Sequence, residues 1–212
     1  TEFTMLEWYR KGTYEDAMEE TARLAELATE KKGPYVIYEL ESLFEQHTGI
    51  NPFHLERDKF FNALKEKGFA GIDEKDTWND LFFKLLIQEV EPKLNQANPY
   101  FIKDWPAAIS TMARKKDTNK VERFELYMNN LEIANGYTEL LYPSEQKERF
   151  LKDNAERNRL GKKTFEIDEH FIESLSYLKG SYTGVSLGLD RLLMAILGKS
   201  TIMEVLPDRV KI

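Results

Sequence analysis

The 212-residue sequence has no cysteine, which excludes disulfides and thiolate metal sites. Its three histidines, His47, His54 and His170, have no metal-ligand spacing, so any metal must be held by carboxylates. No apolar run approaches the ~20 residues needed to span a bilayer, and the N-terminus lacks a basic-then-apolar signal pattern; a cytoplasmic protein with no membrane partner is expected. Positive charge is in deficit. Thirty Lys and Arg stand against 37 Asp and Glu, a net charge of −7, which argues against broad binding to a phosphate backbone. The short basic run Arg114-Lys115-Lys116 reads as a solvated loop. Internal repeats and low-complexity segments are also missing. What is there, 42% hydrophobic and 32% charged residues, is the balance of a globular chain with one sizeable core. The chain opens at Thr1 within a strand-like run, from which sequence further upstream is expected.

TEFTMLEWYR alternates bulky and β-branched residues and so reads as a strand with Met5, Glu7 and Tyr9 on one face. Thr13-Tyr14-Glu15-Asp16 resembles a capping box with Asp in place of Glu. Tyr14, Ala17, Met18, Thr21, Leu24, Ala25 and Ala28 then recur at helical spacing until Gly33-Pro34. Residues 35–94 read as helical throughout, with a turn at Gly68 to Gly71 and a last helix from Thr77 to Val90 closed by Pro92; this is taken as a helical insertion in a single domain. Its stripe of Trp78, Phe82 and Leu85 reads as core. From Tyr100 the texture turns to strands: YFIKDWP, then VERFELYMNNLEIANGYTEL. The expected fold is α+β, a largely antiparallel sheet with the site on one face and helices behind it.

Asn129-Asn130 supplies the two positive-φ residues of a type I′ turn, so FELYM and LEIA should pair as a hairpin. In that register Met128 faces Leu131, Tyr127 faces Glu132, Leu126 faces Ile133 and Glu125 faces Ala134. Phe124, Leu126, Met128, Leu131 and Ile133 then make one wholly apolar face, a segregation that a one-residue slip would destroy. Glu125 and Glu132 share the other face, about 7 Å apart at Cα, near enough to converge on one hard cation. An ordinary solvated hairpin face with two glutamates accounts for the same pattern. Asn135, Tyr137 and Glu139 follow, and a bulge at Gly136 would turn them to the side of Glu132. Several carboxylates with few basic residues suit an ammonium-bearing substrate together with Mg²⁺.

GVSLGLDR, Gly184 to Arg191, has the Gly-x-Ser-x-Gly form of a hydrolase nucleophile elbow. That reading needs a histidine after Ser186, and none follows; His170 lies upstream. In the other reading, small residues at Gly184, Ser186 and Gly188 let a ligand approach the strand, and Arg191 offers its planar fork to phosphate oxygens. A tight strand-helix junction with a structural arginine fits equally well.

Together, three segments resemble the class II aminoacyl-tRNA synthetases of lysyl type: TEFTMLEWYR the second half of motif 2, RFELYMNNLEIANGYTEL the lysine and magnesium strands, and GVSLGLDRLLMAIL motif 3. The resemblance implies that Glu125 and Glu132 hold Mg²⁺ and ATP phosphates and that Arg191 meets the γ-phosphate, with Glu132 and Arg191 serving catalysis. It implies that Glu7, Tyr9, Asn135, Tyr137 and Glu139 hold the amino groups and aliphatic chain of the amino acid, with Glu139 on the distal ammonium. The chain is most similar to a truncated branch of that family, which activates (R)-β-lysine as an adenylate and transfers it to a lysine of elongation factor P. That branch carries Ala where the tRNA synthetases carry Gly, and Ser186, nearer Ala in volume, is expected to shape the pocket. The alternatives are a lysyl-tRNA synthetase fragment charging tRNA and a non-catalytic lysine-binding regulator. Motif 1 and the front of motif 2, with its α-phosphate arginine, are absent. The isolated chain is therefore expected to be inactive and its full-length form a homodimer.

Overall fold

Strand β1 spans Met5–Lys11, and helix α1, Tyr14–Thr29, follows at once because Thr13 and Asp16 form a complete capping box. The helix buries Tyr14, Ala17, Met18, Thr21 and Ala25 and ends at Glu30 (φ 56°), ahead of the expected stop at Gly33. These features come from a computed structural model that describes residues 2–30, 32–94, 98–110 and 112–206.

The next segment is not helical throughout. Val36–Glu39 is a strand, β2, lying parallel to β3, Tyr100–Pro106. A short run such as VIYE fits strand or helix by periodicity alone, and here the neighbouring strand decides. Helices α2 (Leu40–Thr48), α3 (Arg57–Glu66) and α4 (Trp78–Leu85) follow. Thr77 and Asp80 cap α4, which widens into one π-helical stretch, Leu86–Val90, rather than running to Val90 as a regular helix. The remaining elements are β4 (Lys120–Met128), β5 (Leu131–Thr138), α5 (Pro143–Arg159), α6 (Glu169–Ser174), β6 (Tyr182–Gly188) and α7 (Leu189–Leu197).

The strands form one six-stranded sheet in the order β1-β6-β5-β4-β3-β2, antiparallel at every pairing but β2/β3. The α+β expectation holds, but helices cover parts of both faces. On one face α1 and α7 bury Phe124, Leu126, Met128, Ile133, Val185 and Leu187. On the other, Tyr100, Ile102, Trp105, Val121 and Tyr127 pack with Leu40, Phe44, Phe60, Phe82 and Leu85 from α2, α3 and α4. That second face is also the one that carries Glu125, so its β2-β3-β4 half is roofed and its β5-β6-β1 half is left uncovered by these helices.

Asn129 and Asn130 have φ 50° and 62°, as the type I′ turn requires. Met128↔Leu131 and Tyr127↔Glu132 pair as expected, but beyond them the register shifts, and Leu126 faces Ala134 and Glu125 faces Asn135. The bulge sits at Ile133, not at Gly136. Ile133 and Ala134 both enter the apolar core, and this puts Asn135, Tyr137 and Glu139 on the side of Glu132. Gly136 is needed for close packing instead: a Cβ there would lie 2.6 Å from the Phe124 ring and 3.0 Å from the Gly184 carbonyl oxygen.

The basic run lies in a loop with Lys115 and Lys116 exposed, as expected, and each of its cations has a carboxylate partner. Arg114 pairs with Glu122 at 2.7 Å, Lys115 with Glu145 at 3.4 Å and Lys116 with Asp104 at 2.8 Å. Asp104 is buried at a bulge of β3, where it also accepts a 2.7 Å hydrogen bond from the Tyr14 hydroxyl.

Candidate functional site

Cross-strand register assembles the site in rungs. One rung runs Glu7, Ser186, Asn135, Glu125 across β1, β6, β5 and β4; the next runs Tyr9, Gly184, Tyr137, Arg123. Because side chains alternate across a sheet, every residue of these rungs faces the same side, and Glu132, opposite Tyr127, joins them. Arg191, in the first turn of α7, donates from Nη1 to the Glu132 carbonyl at 2.9 Å and to its Oε2 at 3.3 Å.

The expected residues do not share one cavity. A cleft of about 380 Å³ is lined by Glu132, Asn135, Ser186, Gly188 and Arg191, beneath Met5. Glu139 lines a separate cleft of about 340 Å³ with Arg114, Tyr142 and Leu178. Glu7, Tyr9, Tyr137 and Glu125 belong to the face between and beside them.

Ser186 lies mid-strand, two residues short of the α7 junction, and donates to Glu7 Oε1 at 2.6 Å. It is not at a sharp turn, and its hydroxyl is taken by a carboxylate, not by a histidine, which disposes of the nucleophile elbow.

Burial pushes the Glu139 carboxyl up to about 7. Among the described residues it has no hydrogen bond or ion pair. It rests on Gly184, where a Cβ would lie 2.6 Å from Glu139 Oε1 and 2.8 Å from the Tyr9 ring. Burial, and then the Glu139 charge, raise the Tyr9 and Tyr137 hydroxyls, Tyr137 to about 12. A part-buried carboxylate without a partner among the described residues, walled by two tyrosines, has the chemistry to accept a cation.

Glu125 is 4% exposed, and burial pushes its carboxyl up to about 7; Arg123 and the Tyr127 hydroxyl draw it down, while Glu132 and Glu91 push it further up. Arg123 Nη2 donates to Glu125 Oε1 and the Tyr127 hydroxyl to Oε2, each at 2.6 Å. Burial raises Glu91 too, with the Glu132 charge adding to it. No group of three or more His, Cys, Asp or Glu among the described residues is arranged to hold a metal ion. A magnesium ion bound largely by substrate phosphates asks for only one or two carboxylates. Glu125 and Glu132 are two carboxylates whose charges repel each other, although both Glu125 oxygens already accept hydrogen bonds from Arg123 and Tyr127.

Residues 2–207 match the family described as tRNA synthetases class II (D, K and N). The chain belongs to that family. Among curated proteins it is similar to the elongation factor P (R)-β-lysine ligase of Pseudoalteromonas translucida strain TAC 125, at 38% identity over 97% of this chain and 64% of that protein. It is similar to the ligases of the same name from Vibrio atlanticus strain LGP32 and Vibrio cholerae El Tor Inaba, each at 36% identity over 96% of this chain and 64% of theirs. This synthetase-family chain thus spans just under two thirds of the length of these relatives. No helix among its described residues is long and apolar enough to cross a membrane.

Sequence reasoning missed three side chains at the synthetase-like face: Arg123, Tyr127 and Glu91. The first two share the alternation that singled out Glu125, since residues 123, 125 and 127 of one strand point the same way. Glu91 gave no such signal. It follows α4 and the π-helical stretch, and only packing of that segment on the sheet brings its charge near Glu132.

Proposed function

We propose that the intact protein activates lysine or (R)-β-lysine with ATP as an adenylate and transfers it to a lysine of elongation factor P. The observation that carries this reading is the unpartnered Glu139 carboxylate on Gly184, which suits the distal ammonium of a lysine-like substrate. The similarity to ligases of that name supports the acceptor, and the net charge of −7 sits more easily with a protein than with tRNA.

In this reading Glu7, steadied by the Ser186 hydroxyl, receives the other amino group, and Tyr9 and Tyr137 flank the aliphatic chain. Arg191, held at Glu132, meets the γ-phosphate end of ATP. Glu125 and Glu132 would hold Mg²⁺, which supplies charge neutralisation at the phosphates when bound. The substrate carboxylate attacks the α-phosphorus and pyrophosphate leaves, so no protein nucleophile is needed. The residues act by positioning and charge stabilisation, and an acceptor amine then takes the aminoacyl group from the mixed anhydride, releasing AMP.

The test offers the intact protein ATP, Mg²⁺ and either α-lysine or (R)-β-lysine, with elongation factor P and lysine tRNA side by side. A mass increase on elongation factor P is the expected result. Charging of tRNA alone would replace this reading with a tRNA synthetase, and transfer to neither would leave a lysine-binding regulator.

A further inference from the structure

Glu139 carries the proposed reading, yet β5 ends at Thr138, just before it. Past the end of a strand a carboxylate has no regular ladder to hold it, and its aim depends on what lies to either side. Two backbone neighbours flank it. On one side the Glu139 N–H donates to the Tyr182 carbonyl at 2.8 Å. On the other, Ala113 lies opposite Glu139 in an antiparallel bridge outside the six strands. Arg114 N donates to Thr138 O at 2.7 Å and Leu140 N to Met112 O at 3.0 Å on either side of that bridge.

The strip that carries Ala113 belongs to the connection between β3 and β4, and its hold comes from the chain that follows Glu139. Residues 140–142 lead straight into α5, and Arg149 of that helix reaches back to the strip. Its Nη1 donates to Ser110 O at 3.0 Å and to Ala113 O at 2.7 Å, and its Nη2 donates to Glu145 Oε1 at 2.8 Å. Glu145 in turn meets Lys115 Nζ, on the same strip, at 3.4 Å. Only 13% of the Arg149 side chain is exposed. Backbone carbonyls sheltered from water need donors, and one planar guanidinium serves two of them and a carboxylate together, which the compact ammonium of a lysine is not shaped to do. The contacts close a circuit from Glu139 through α5 and Arg149 to Ala113, and so back to Glu139.

We propose that Arg149 is a positioning residue for the amino-acid site, which fixes the Ala113 strip against Glu139 and so holds that carboxylate in place for the distal ammonium of the substrate. This rests on the proposed lysine reading. Burial alone shifts the Glu139 carboxyl, so the arginine acts on it through geometry and not through its charge. Removing the fork takes a donor from both carbonyls, and the strip relaxes with Glu139 beside it. The preference for an amino acid that ends in an ammonium then depends on a side chain that never touches it.

The experiment measures binding without ATP or metal, by calorimetry on the intact protein, with lysine and with 2-aminohexanoic acid, which keeps the carboxylate, the α-amino group and the aliphatic chain and lacks the distal ammonium. Arg149→Met is expected to weaken lysine binding by about 5- to 20-fold, part of the worth of a hydrogen bond to a charged group, and to leave 2-aminohexanoic acid within about twofold. Arg149→Lys keeps a charge and donors without the fork, and its lysine affinity is expected to fall between those of wild type and Arg149→Met. In a Glu139→Gln background, Arg149→Met is expected to change lysine binding by less than about twofold, because two residues that act through one contact are not additive. Equal weakening of both ligands, or a full loss on top of Glu139→Gln, would mean that Arg149 supports the fold at large and would overturn the proposal. Unchanged lysine affinity in Arg149→Met, or in Arg149→Lys where only that variant folds, would overturn it as well. If the wild-type protein binds lysine no better than 2-aminohexanoic acid, the lysine reading itself fails and the proposal falls with it.

Discussion

Replacing Glu139 by Gln separates what the carboxylate costs the fold from what it contributes to binding. Its carboxyl stands at about 7 against an ordinary value of 4.5, and the cause is burial alone. The folded state therefore binds this proton more tightly than the unfolded chain does, and stability from this group falls as pH rises from the ordinary value through 7. A full shift of that size would correspond to roughly 3 kcal/mol above both values. The group is only part-buried and solvent screens it, so about 1–2 kcal/mol is the realistic cost at pH 8. Glu139→Gln removes that cost, and for a chain of this size it should raise Tm by roughly 2–8 °C at pH 8 and hardly at all at pH 5. Glu125, also raised by burial, titrates in both proteins and cancels in the difference. The assay is thermal unfolding of wild type and variant across pH 5 to 8, repeated with 1,5-diaminopentane. The diamine should stabilise the wild type and leave the variant unmoved. A stability difference that does not depend on pH, or a variant less stable at pH 8, would refute the reasoning.

Two further predictions concern the sheet that carries the site. Gly136→Ala puts a methyl 2.6 Å from the Phe124 ring and should cost about 1–3 kcal/mol in chemical denaturation, as overpacking does. Asn130→Gly, at φ 62° in the type I′ turn, should stabilise the protein by up to about 1 kcal/mol and leave ligand affinity unchanged; a loss of stability would show that the asparagine side chain matters more than its backbone conformation.

The hairpin and the face of the sheet on which the site stands were legible because turn chemistry and alternation are local. Asn129-Asn130 announced its own backbone geometry, and the apolar set Phe124, Leu126 and Met128 fixed which side was buried. The bulge at Ile133 was not legible, since a core that accepts two successive apolar residues and a core that accepts one produce the same hydrophobic pattern until the packing is known. Strand β2 was lost for a related reason: four residues that run straight into α2 leave no room for a period to declare itself, and only the parallel neighbour Tyr100–Pro106 makes them a strand. At the site, the carboxylates stood out as types, whereas Arg123 and Glu91 owe their place to partners distant in sequence, Trp105 and Glu132. The basic run was rightly read as a solvated loop, but its partners Glu122, Glu145 and Asp104 were not legible, because a run of like charge says nothing about the acidic groups that folding brings to meet it.

Strand β6 lies between β1 and β5 in the sheet, although it is the last of the described strands in chain order. During synthesis, β1 leaves the ribosome without any of the sheet neighbours described here, and its Glu7 and Tyr9 have no rung to join until Ser186 and Gly184 emerge some 175 residues later. The keystone is thus the final piece. A nascent or truncated chain that stops short of β6 has Glu7, Tyr9 and Glu125 but lacks the strand that sets β1 beside β5.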